Sequence, residues 1–226
     1  MERLTLVIPA KNESESLPIV LDELKALNLN FKIIVVIPKN DELTKESIKG
    51  FNCKIIEEQN GKGYGNALRT GIDKVETDFF CIFNADGSFN PIYLKDMIKT
   101  VSEEDLDFVF CSRYEGNGGS DDDTFLTYIG NKIFTFSCNI LFNLKISDVL
   151  FIYVMEKTNK YKELVLKSND SPFCVELPIK AKFKKFNLSS MPSYERSRFA
   201  GIKKVNEFKD GFLILISILK ILVFRK

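Results

Sequence analysis

The sequence contains no histidine among its 226 residues. This absence excludes Ser-His-Asp and Cys-His nucleophile systems, HExxH zinc sites and any histidine general base. Any chemistry that the protein performs must therefore depend on carboxylates, lysine, arginine, tyrosine, backbone groups and a hard metal ion.

A large net charge and paired cysteines are also lacking. The 32 basic residues nearly balance the 31 acidic ones, and a net charge of +1 argues against nucleic acid as a partner. The five cysteines form no CxxC pair, which favours reduced core residues of a cytoplasmic protein over disulfides or a metal site. The apolar run from Leu4 to Ile8 is shorter than the roughly 7–15 residues of a secretory signal core, so we expect no signal peptide.

Short apolar runs and helical stripes alternate along the first half of the chain. The runs are nearly continuous, as expected of strands covered on both faces; they are Leu4–Ile8, Lys32–Ile37, Cys53–Ile56, Asp78–Phe83 and Asp107–Cys111. We therefore predict an α/β fold with a mainly parallel, Rossmann-like sheet flanked by helices. Such sheets bind ligands beyond the carboxyl ends of their strands, which indicates segments 9–13, 38–44, 84–90 and 112–123.

The second half continues the same domain and ends in an apolar helix. We predict a helix over 124–144, a strand at Val149–Val154, a helical region ending near Phe183, a strand at Lys185–Met191 and a final helix from about Asn206. The apolar stretch 211–224 would span only ~21 Å as a helix, less than the ~30 Å of a hydrocarbon core. It is therefore predicted either to lie in a membrane interface or to be buried against the domain or in a homodimer.

Two oxygen-bearing residues, Asn84 and Asp86, follow the fourth predicted strand in the stretch NADGS. At this spacing both side chains can face one site, and their oxygens suit Mg²⁺ or Mn²⁺ that also holds phosphates. An ordinary Asp-Gly-Ser turn is the alternative interpretation.

Two cations lie near the other predicted strand ends. Lys62 lies in a glycine-rich stretch, NGKGYGNALRTG, that matches neither the Walker A nor the dinucleotide pattern but opens a helix that could attract phosphate. Arg113 leaves the fifth predicted strand and could bind a phosphate through two parallel hydrogen bonds.

Eight short motifs together resemble glycosyltransferase family 2, with the GT-A fold, and in particular its dolichol-phosphate-mannose-synthase-like and other polyprenyl-phosphate enzymes. They occur in family order over about residues 4–210: VIPAKNES, GKGYGNALRTGI, FNADGSFNP, CSRY, IGNK, ISD, FCVELPIKA and YERSRFAGIKK. The resemblance implies a domain over 1–205, with a nucleotide-sugar-binding half at 1–112 and an acceptor half at 113–205, followed by the apolar helix at 206–226.

The resemblance also implies roles for individual residues. The segment that lines the nucleotide of a GDP- or UDP-sugar is matched by Pro9, Ala10, Asn12 and Glu13. Asp86 matches the acid that meets the divalent metal, and Arg113, Arg196 and Lys203 match basic positions that face phosphates. Asp148 and Glu176 match acids on the acceptor side, with Asp148 the first candidate for a base. Lys62, Arg113 and the metal at Asp86 would stabilise the leaving diphosphate.

The sequence departs from the family pattern at three places, one of which is Val154, near the position of an arginine that the polyprenyl-phosphate branch often carries. Ile37 and Pro38 replace a pair of acids that usually follows the second strand, and Asn84 replaces the first acid of the Asp-x-Asp motif. The expected function is an inverting glycosyltransferase with a polyprenyl-phosphate acceptor, cytoplasmic and peripheral on the inner face of the membrane. The alternatives are a soluble enzyme acting on a glycan hydroxyl and a non-catalytic homologue that serves as a binding subunit.

Overall fold

The computed structural model describes residues 3–58, 63–201 and 206–224. The strands are β1 (Leu4–Pro9), β2 (Phe31–Pro38), β3 (Lys54–Glu58), β4 (Phe79–Ile82), β5 (Phe108–Ser112), β6 (Gly119–Ser120), β7 (Val154–Lys157), β8 (Leu188–Pro192) and β9 (Tyr194–Glu195). The helices are α1 (Leu17–Ala26), α2 (Glu42–Ser47), α3 (Tyr64–Ile72), α4 (Tyr93–Glu103), α5 (Phe125–Phe142), α6 (Thr158–Tyr161), α7 (Phe173–Phe183) and α8 (Glu207–Phe224).

Seven strands form one sheet in the order β3-β2-β1-β4-β7-β5-β8, and β6 pairs with β9 separately. Among the described strands of the large sheet, only β7 runs antiparallel to its neighbours, so the predicted mainly parallel sheet is confirmed. Leu6 and Ile8 belong to one apolar cluster and Val7 to the other, and all three are fully buried. Coverage on both faces explains why the strands read as continuous apolar runs.

The strand order reverses direction at β1. The chain adds β2 and β3 on one side of β1 and then returns to place β4 on the other side. A crevice opens at such a point, outside the carboxyl ends of the two central strands. The loops that follow β1 and β4 therefore meet at the position where an open α/β sheet binds its ligand.

The strand predicted at Val149–Val154 is wrong, because the strand in this region is β7, which begins at Val154. The preceding apolar residues form a buried loop against the turn after β4. Tyr153 stacks on Phe89 with ring centroids 4.6 Å apart, and its hydroxyl donates to the carbonyl oxygen of Asn90 at 3.0 Å. Phe151 contacts the Phe89 ring edge-on at 5.0 Å. This run is apolar because it covers the β4 turn, not because it belongs to the sheet.

Helices α5 and α8 confirm the predicted long helix and the C-terminal apolar helix. Thr124 caps the start of α5 in a reciprocal capping box with Thr127, and Asn143 ends the helix with a left-handed φ of 53°. On α8, Ile214 and Ile218 are buried in the core cluster beside α7 and α5. No helix within the described residues is both long enough and apolar enough to cross a membrane.

Candidate active site

The Asp86 turn directly follows β4 and uses the two carboxylate oxygens of Asp86 differently. Oδ1 accepts hydrogen bonds from the backbone N–H of Ser88 at 3.0 Å and from its hydroxyl at 2.7 Å. Oδ2 lies 3.6 Å from a guanidinium nitrogen of Arg198. Asn84 completes the turn: its Nδ2 donates to the Ser88 hydroxyl at 3.2 Å, and its Oδ1 accepts from the Tyr64 hydroxyl at 3.1 Å. Asp86 is thus both a turn residue and a carboxylate with one oxygen directed at a cation.

Residues 194–199 cross over this turn, and we call them the strap. The Phe199 N–H donates to the Asp86 carbonyl oxygen at 2.8 Å, and the Arg196 N–H donates to the Ser88 carbonyl oxygen at 2.9 Å. Gly87 has a φ of 86°, and the Phe199 ring occupies the space that a Cβ at this position would need. Only glycine therefore fits between the β4 turn and the strap.

Arg196, predicted to face a phosphate, instead joins the strap to α1. Its two terminal nitrogens donate to the two carboxylate oxygens of Glu23 at 3.0 and 2.9 Å. Its Nε donates to the Gly87 carbonyl oxygen at 3.1 Å. This paired geometry makes Arg196 a positioning residue for the strap.

The loop after β1 carries the predicted nucleotide-binding residues. Pro9 ends the strand opposite Val36, and the Ala10 N–H extends the pairing by donating to the Val36 carbonyl oxygen at 2.9 Å. Asn12 then turns the chain with a φ of 53°, and its N–H donates to Asp41 Oδ2 at 2.6 Å. Asp41, which the sequence analysis did not single out, therefore ties this loop to the one after β2.

Glu13 is buried between the same two loops. Its N–H donates to the Thr44 hydroxyl at 3.0 Å, and its Oε2 accepts from the Ser16 hydroxyl at 2.6 Å. Asp41 also caps α2 by accepting from the Thr44 N–H at 3.2 Å. The hydrogen bonds hold the two post-strand loops together at the edge of the crevice.

Arg113, at the end of β5, lies in a cluster of carboxylates. Its Nε and Nη2 donate to the two oxygens of Asp148 at 2.7 and 3.1 Å. Its Nη1 lies 3.2 Å from Glu195 and 3.5 Å from Asp123, and Phe151 packs against the guanidinium. Burial alone would lower the pKa of Arg113, but Asp148 and Glu195 raise it above its usual value.

Two predicted catalytic residues, Arg113 and Asp148, are held in place by the hydrogen bonds between them. Asp148 has no exposed surface and accepts from Arg113 through both oxygens, so it cannot approach an acceptor hydroxyl in this conformation. Glu195 is more accessible than Asp148, and its strand β9 bridges to Phe89 beside the Asp86 turn. Burial raises the pKa of Glu195 above its usual value, and Arg113 and the Ser120 hydroxyl oppose that rise.

Glu176, predicted on the acceptor side, holds a loop that packs against α3. It accepts hydrogen bonds from the Lys167 N–H at 2.9 Å and the Ser168 N–H at 2.7 Å, and it pairs with Lys180 at 2.7 Å. Burial opposes its ionisation, but Lys180 and these amides lower its pKa below the usual value. A Cβ at Gly65 would lie 2.7 Å from the Ser168 carbonyl oxygen, so this loop touches the first turn of α3. Lys62 and Lys203 lie outside the described residues.

Comparison with known proteins identifies the family. The family model described as Glycosyl transferase family 2 matches residues 5–164, which is most of the chain. This chain belongs to glycosyltransferase family 2.

A relative, the low-salt glycan biosynthesis hexosyltransferase Agl6 of Haloferax volcanii, is 25% identical over 214 residues, covering 92% of this chain and 51% of Agl6. An uncharacterized glycosyltransferase of Mycobacterium tuberculosis is 30% identical over 104 residues, covering 46% of this chain and 44% of its own length. The family-2 chain therefore spans about half the length of the curated relatives it matches.

Two solved structures share the architecture of this family-2 chain. One is glucosyl-3-phosphoglycerate synthase from Mycobacterium tuberculosis in complex with Mn²⁺, UDP and glucosyl-3-phosphoglycerate. It has a TM-score of 0.76 at 13% identity, covering 97% of this chain and 79% of that one. The other, mannosyl-3-phosphoglycerate synthase from Rubrobacter xylanophilus, has a TM-score of 0.75 at 14% identity, covering 99% and 75%. The likeness confirms the predicted GT-A fold.

A divalent metal ion fits the donor set of this family-2 site. Asp86 offers its Oδ2, which lies 3.6 Å from Arg198 in this structure, and Asn84 offers an amide oxygen that also accepts from the Tyr64 hydroxyl. Within residues 3–58, 63–201 and 206–224, no three histidine, cysteine, aspartate or glutamate side chains are grouped so that they could hold a metal. Mg²⁺ is commonly held by one or two carboxylates together with substrate phosphates. The donor set therefore suits a metal ion that binds together with a diphosphate.

No role was predicted from the sequence for three residues of the site, although all three lie in segments that were expected to be functional. Asp41 follows β2 within 38–44, and Glu195 and Arg198 lie in the motif YERSRFAGIKK. Their partners lie far away along the chain: Arg198 pairs with Asp86, and Glu195 with Arg113. Sequence spacing alone gives no signal for such pairs, because the fold brings them together.

Proposed function

We propose that this chain transfers a hexose from a nucleotide-sugar to an acceptor, with inversion at the anomeric carbon. The observation that carries this proposal is the Asp86 turn, which presents a carboxylate oxygen beside the crevice at the reversal of strand order. The related Agl6 is a hexosyltransferase, and glucosyl-3-phosphoglycerate synthase binds UDP with Mn²⁺. We expect UDP as the nucleotide of the donor, with GDP as the alternative.

Asp86 and Asn84 are the residues that would hold Mg²⁺ or Mn²⁺ in the proposed reaction. The metal, when bound, neutralises charge that develops on the leaving diphosphate. The loops tied together by Asn12 and Asp41 would bind the nucleoside, because they form the adjoining edge of the crevice. The anomeric carbon loses its bond to the diphosphate oxygen, which keeps the electron pair, and gains a bond to the acceptor oxygen on the opposite face.

We propose a polyprenyl phosphate at a membrane surface as the acceptor. Its phosphate is anionic at neutral pH and has no proton that must be removed, so no base is required. This agrees with the full engagement of Asp148 by Arg113. The apolar, exposed sides of α5 and α8 support an acceptor that is delivered from lipid.

A glycan hydroxyl is the second candidate acceptor, and the arginines favour it. Arg113 and Arg196 already pair with carboxylates, so neither presents a free cation to an acceptor phosphate. A hydroxyl must give its proton to a base as its oxygen attacks the anomeric carbon. Glu195 would take that proton, because its strand β9 bridges to Phe89 beside the Asp86 turn and burial raises its pKa above the usual value.

The test of the donor proposal is calorimetric binding of UDP and GDP with and without Mn²⁺, followed by hydrolysis of the matching nucleotide-sugars. We expect metal-dependent binding, and a loss on the order of 10²-fold in turnover for Asp86→Asn. Asp78→Asn is the matched control, because Asp78 is an exposed carboxylate in a surface pair with Arg3. Turnover at the wild-type level in Asp86→Asn would exclude the metal role. Absence of binding to either nucleotide would favour a non-catalytic binding subunit.

The acceptor class is tested with Glu195→Gln and Asp123→Asn, since both carboxylates contact Arg113 through Nη1. With a polyprenyl-phosphate acceptor, we expect the two variants to behave alike. With a saccharide hydroxyl acceptor, we expect kcat to fall only in Glu195→Gln, together with loss of the acidic limb of the pH–rate profile. The acceptor that the wild type uses at the higher kcat/KM decides between the two candidates.

A further inference from the structure

Helix α5 presents an apolar stripe to solvent along its whole length. Phe125, Ile129, Ile133, Phe136 and Ile140 follow one another at spacings of three or four residues, so they lie on one side of the helix. The exposed fractions are 82% for Phe125 and 66% for Phe136. The opposite side of α5 already packs in the core through Cys138 and Phe142, so the stripe is additional to the side that holds the fold together.

Helix α8 carries a second stripe. Phe208, Phe212, Leu215, Leu219 and Val223 are exposed at the same helical spacing, while Ile214, Ile218 and Ile221 are buried on the other side. The two helices are neighbours, and Gly211 of α8 approaches the Phe134 ring of α5. We call the two stripes together the α5–α8 face.

Helices α5 and α8 carry most of the exposed large apolar side chains of the described chain. Of 22 exposed large apolar side chains among the described residues, eight lie on α5 and six on α8. The largest exposed apolar patch of a typical soluble monomer is only about 300–600 Å² and is often functional. Such a concentration on two adjacent helices indicates a surface that is covered when the protein works.

Over most of its length this surface carries lysines and no acids. Helix α5 and residues 211–224 contain no aspartate or glutamate, and their charged residues are Lys132 and Lys220. The acids of α8, Glu207 and Asp210, are confined to its first turn, where Asp210 accepts from the Ser171 hydroxyl. Phe183, which contacts Phe142 of α5, is followed by the exposed Lys184 and Lys185. A second copy of this chain would bring lysines against lysines, whereas anionic headgroups complement them.

We propose that the α5–α8 face docks on a bilayer that contains anionic lipid, with both stripes at the boundary between headgroups and acyl chains. Helices with an apolar side and lysines lie in the membrane plane and need not cross it. The face adjoins the site, because Thr124 caps α5 directly after Asp123, which contacts Arg113. Docking itself is independent of the transfer reaction; only the delivery of a lipid-borne acceptor rests on the proposed function.

The test is flotation of the full chain with vesicles of phosphatidylcholine containing phosphatidylglycerol, and with phosphatidylcholine alone. The stripe variant carries Phe136→Ser, Ile140→Ser, Phe212→Ser and Leu219→Ser, two changes on each helix. The matched control carries Ile19→Ser, Leu43→Ser, Ile92→Ser and Val165→Ser, four exposed apolar residues away from the face. Substitution is preferable to deletion of the tail, because deletion would also remove Ile214 and Ile218 from the core.

We expect the wild type and the control to float with the anionic vesicles, and the stripe variant to lose at least tenfold in partition coefficient. Lys220→Glu alone should weaken binding to anionic vesicles more than to neutral ones. The proposal is overturned if the wild type does not float or if the control loses as much binding as the stripe variant. It is also overturned if light scattering shows a stable dimer that the stripe changes dissociate, since the face would then be occupied by a second copy.

Discussion

Asn84 and Asp86 occupy neighbouring positions on one turn but differ in charge, and this difference sets the expected strength of the metal site. Asn84 Oδ1 accepts from Tyr64, so its oxygen is fixed beside the crevice although it carries no charge. Two unit charges 4 Å apart interact by about 1 kcal/mol in water and about 4 kcal/mol at an effective dielectric constant of 20. We therefore predict that Asn84→Asp lowers the Kd for Mn²⁺ in the presence of UDP by about tenfold or more.

Electron paramagnetic resonance of free Mn²⁺ measures this change directly. Tyr64 can still donate to a carboxylate at position 84, although the change removes the Asn84 Nδ2 donor to the Ser88 hydroxyl. Asn90→Asp, a few residues further along the chain, controls for added charge away from the Asp86 carboxylate. An unchanged Kd in Asn84→Asp would show that position 84 does not face the metal.

Glu156 is an acidic residue in the middle of the sheet. It is fully buried on β7 between Phe80 and Phe108, and neither carboxylate oxygen has a hydrogen-bond partner among the residues that the structure describes. Burial raises its pKa well above the usual value of 4.5, so the folded protein keeps a proton that the unfolded chain releases. The contribution of this proton to stability is present at low pH and is lost as the pH rises from about 4.5 towards the folded-state pKa.

We predict that Glu156→Gln flattens the dependence of unfolding free energy on pH. In the wild type, a group of this kind lowers the unfolding free energy by about 1.4 kcal/mol for each pH unit within this window. Urea denaturation between pH 5 and pH 8 measures the slope, with Glu103→Gln as a control at an exposed position. Equal slopes in the wild type and Glu156→Gln would mean that Glu156 is ionised in the folded state.

At the scale of elements, α3 approaches the sheet unusually closely, and glycine permits this. A Cβ at Gly71 would lie 2.6 Å from Val7 Cγ1 and 2.8 Å from Val36 Cγ2, so alanine would push α3 away from β1 and β2. We predict that Gly71→Ala lowers the unfolding free energy by about 1–3 kcal/mol. Gly130 in α5 has open space around its Cβ position, so Gly130→Ala should instead stabilise by about 0.5–1 kcal/mol. We expect the urea midpoint to fall in Gly71→Ala and to rise in Gly130→Ala. Two shifts of the same sign would contradict the close packing of α3 on the sheet as the cause.

The sequence predicts the parallel strands well but places the antiparallel one wrongly, and the reason is physical. β1 and β2 are covered on both faces, so they are continuous apolar runs. β7 contains the buried acid Glu156 and a terminal Lys157, so the pattern there indicates a surface segment. The apolar residues before it, among them Phe151 and Tyr153, pack around Phe89 and imitate a strand.

At the scale of the whole molecule, the sequence predicts which loops form the site but not how their charges pair. Asp86 and the loop from Pro9 to Glu13 lie at the predicted edge because strand order and direction place them there. Arg196 meets Glu23 across 173 residues, and Arg113 meets Asp148 across 35. Such partners are selected by the tertiary fold, and an arginine next to a strand end therefore need not face a ligand phosphate.

The strap joins distant segments of the chain, and its stability should depend on Arg196. It pairs with β6, and it reaches α1 and the β4 turn through Arg196. A hydrogen bond to a charged group contributes about 1.5–3 kcal/mol, and partial exposure of the Arg196–Glu23 pair favours the lower end. We predict that Arg196→Ala speeds hydrogen exchange of the Phe199 and residue-196 amides by about tenfold, because their bonds to the β4 turn open more often.

Exchange in β1 should stay unchanged, since this strand lies in the core and does not contact Arg196. Arg3→Ala removes an exposed ion pair with Asp78, elsewhere in the structure, and serves as the control. Wild-type exchange of the strap in Arg196→Ala would mean that the backbone hydrogen bonds to Asp86 and Ser88 suffice to hold it. Faster exchange limited to residues 194–199 would instead show that the strap opens independently of the sheet. Arg196 would then be the residue that holds the strap against α1.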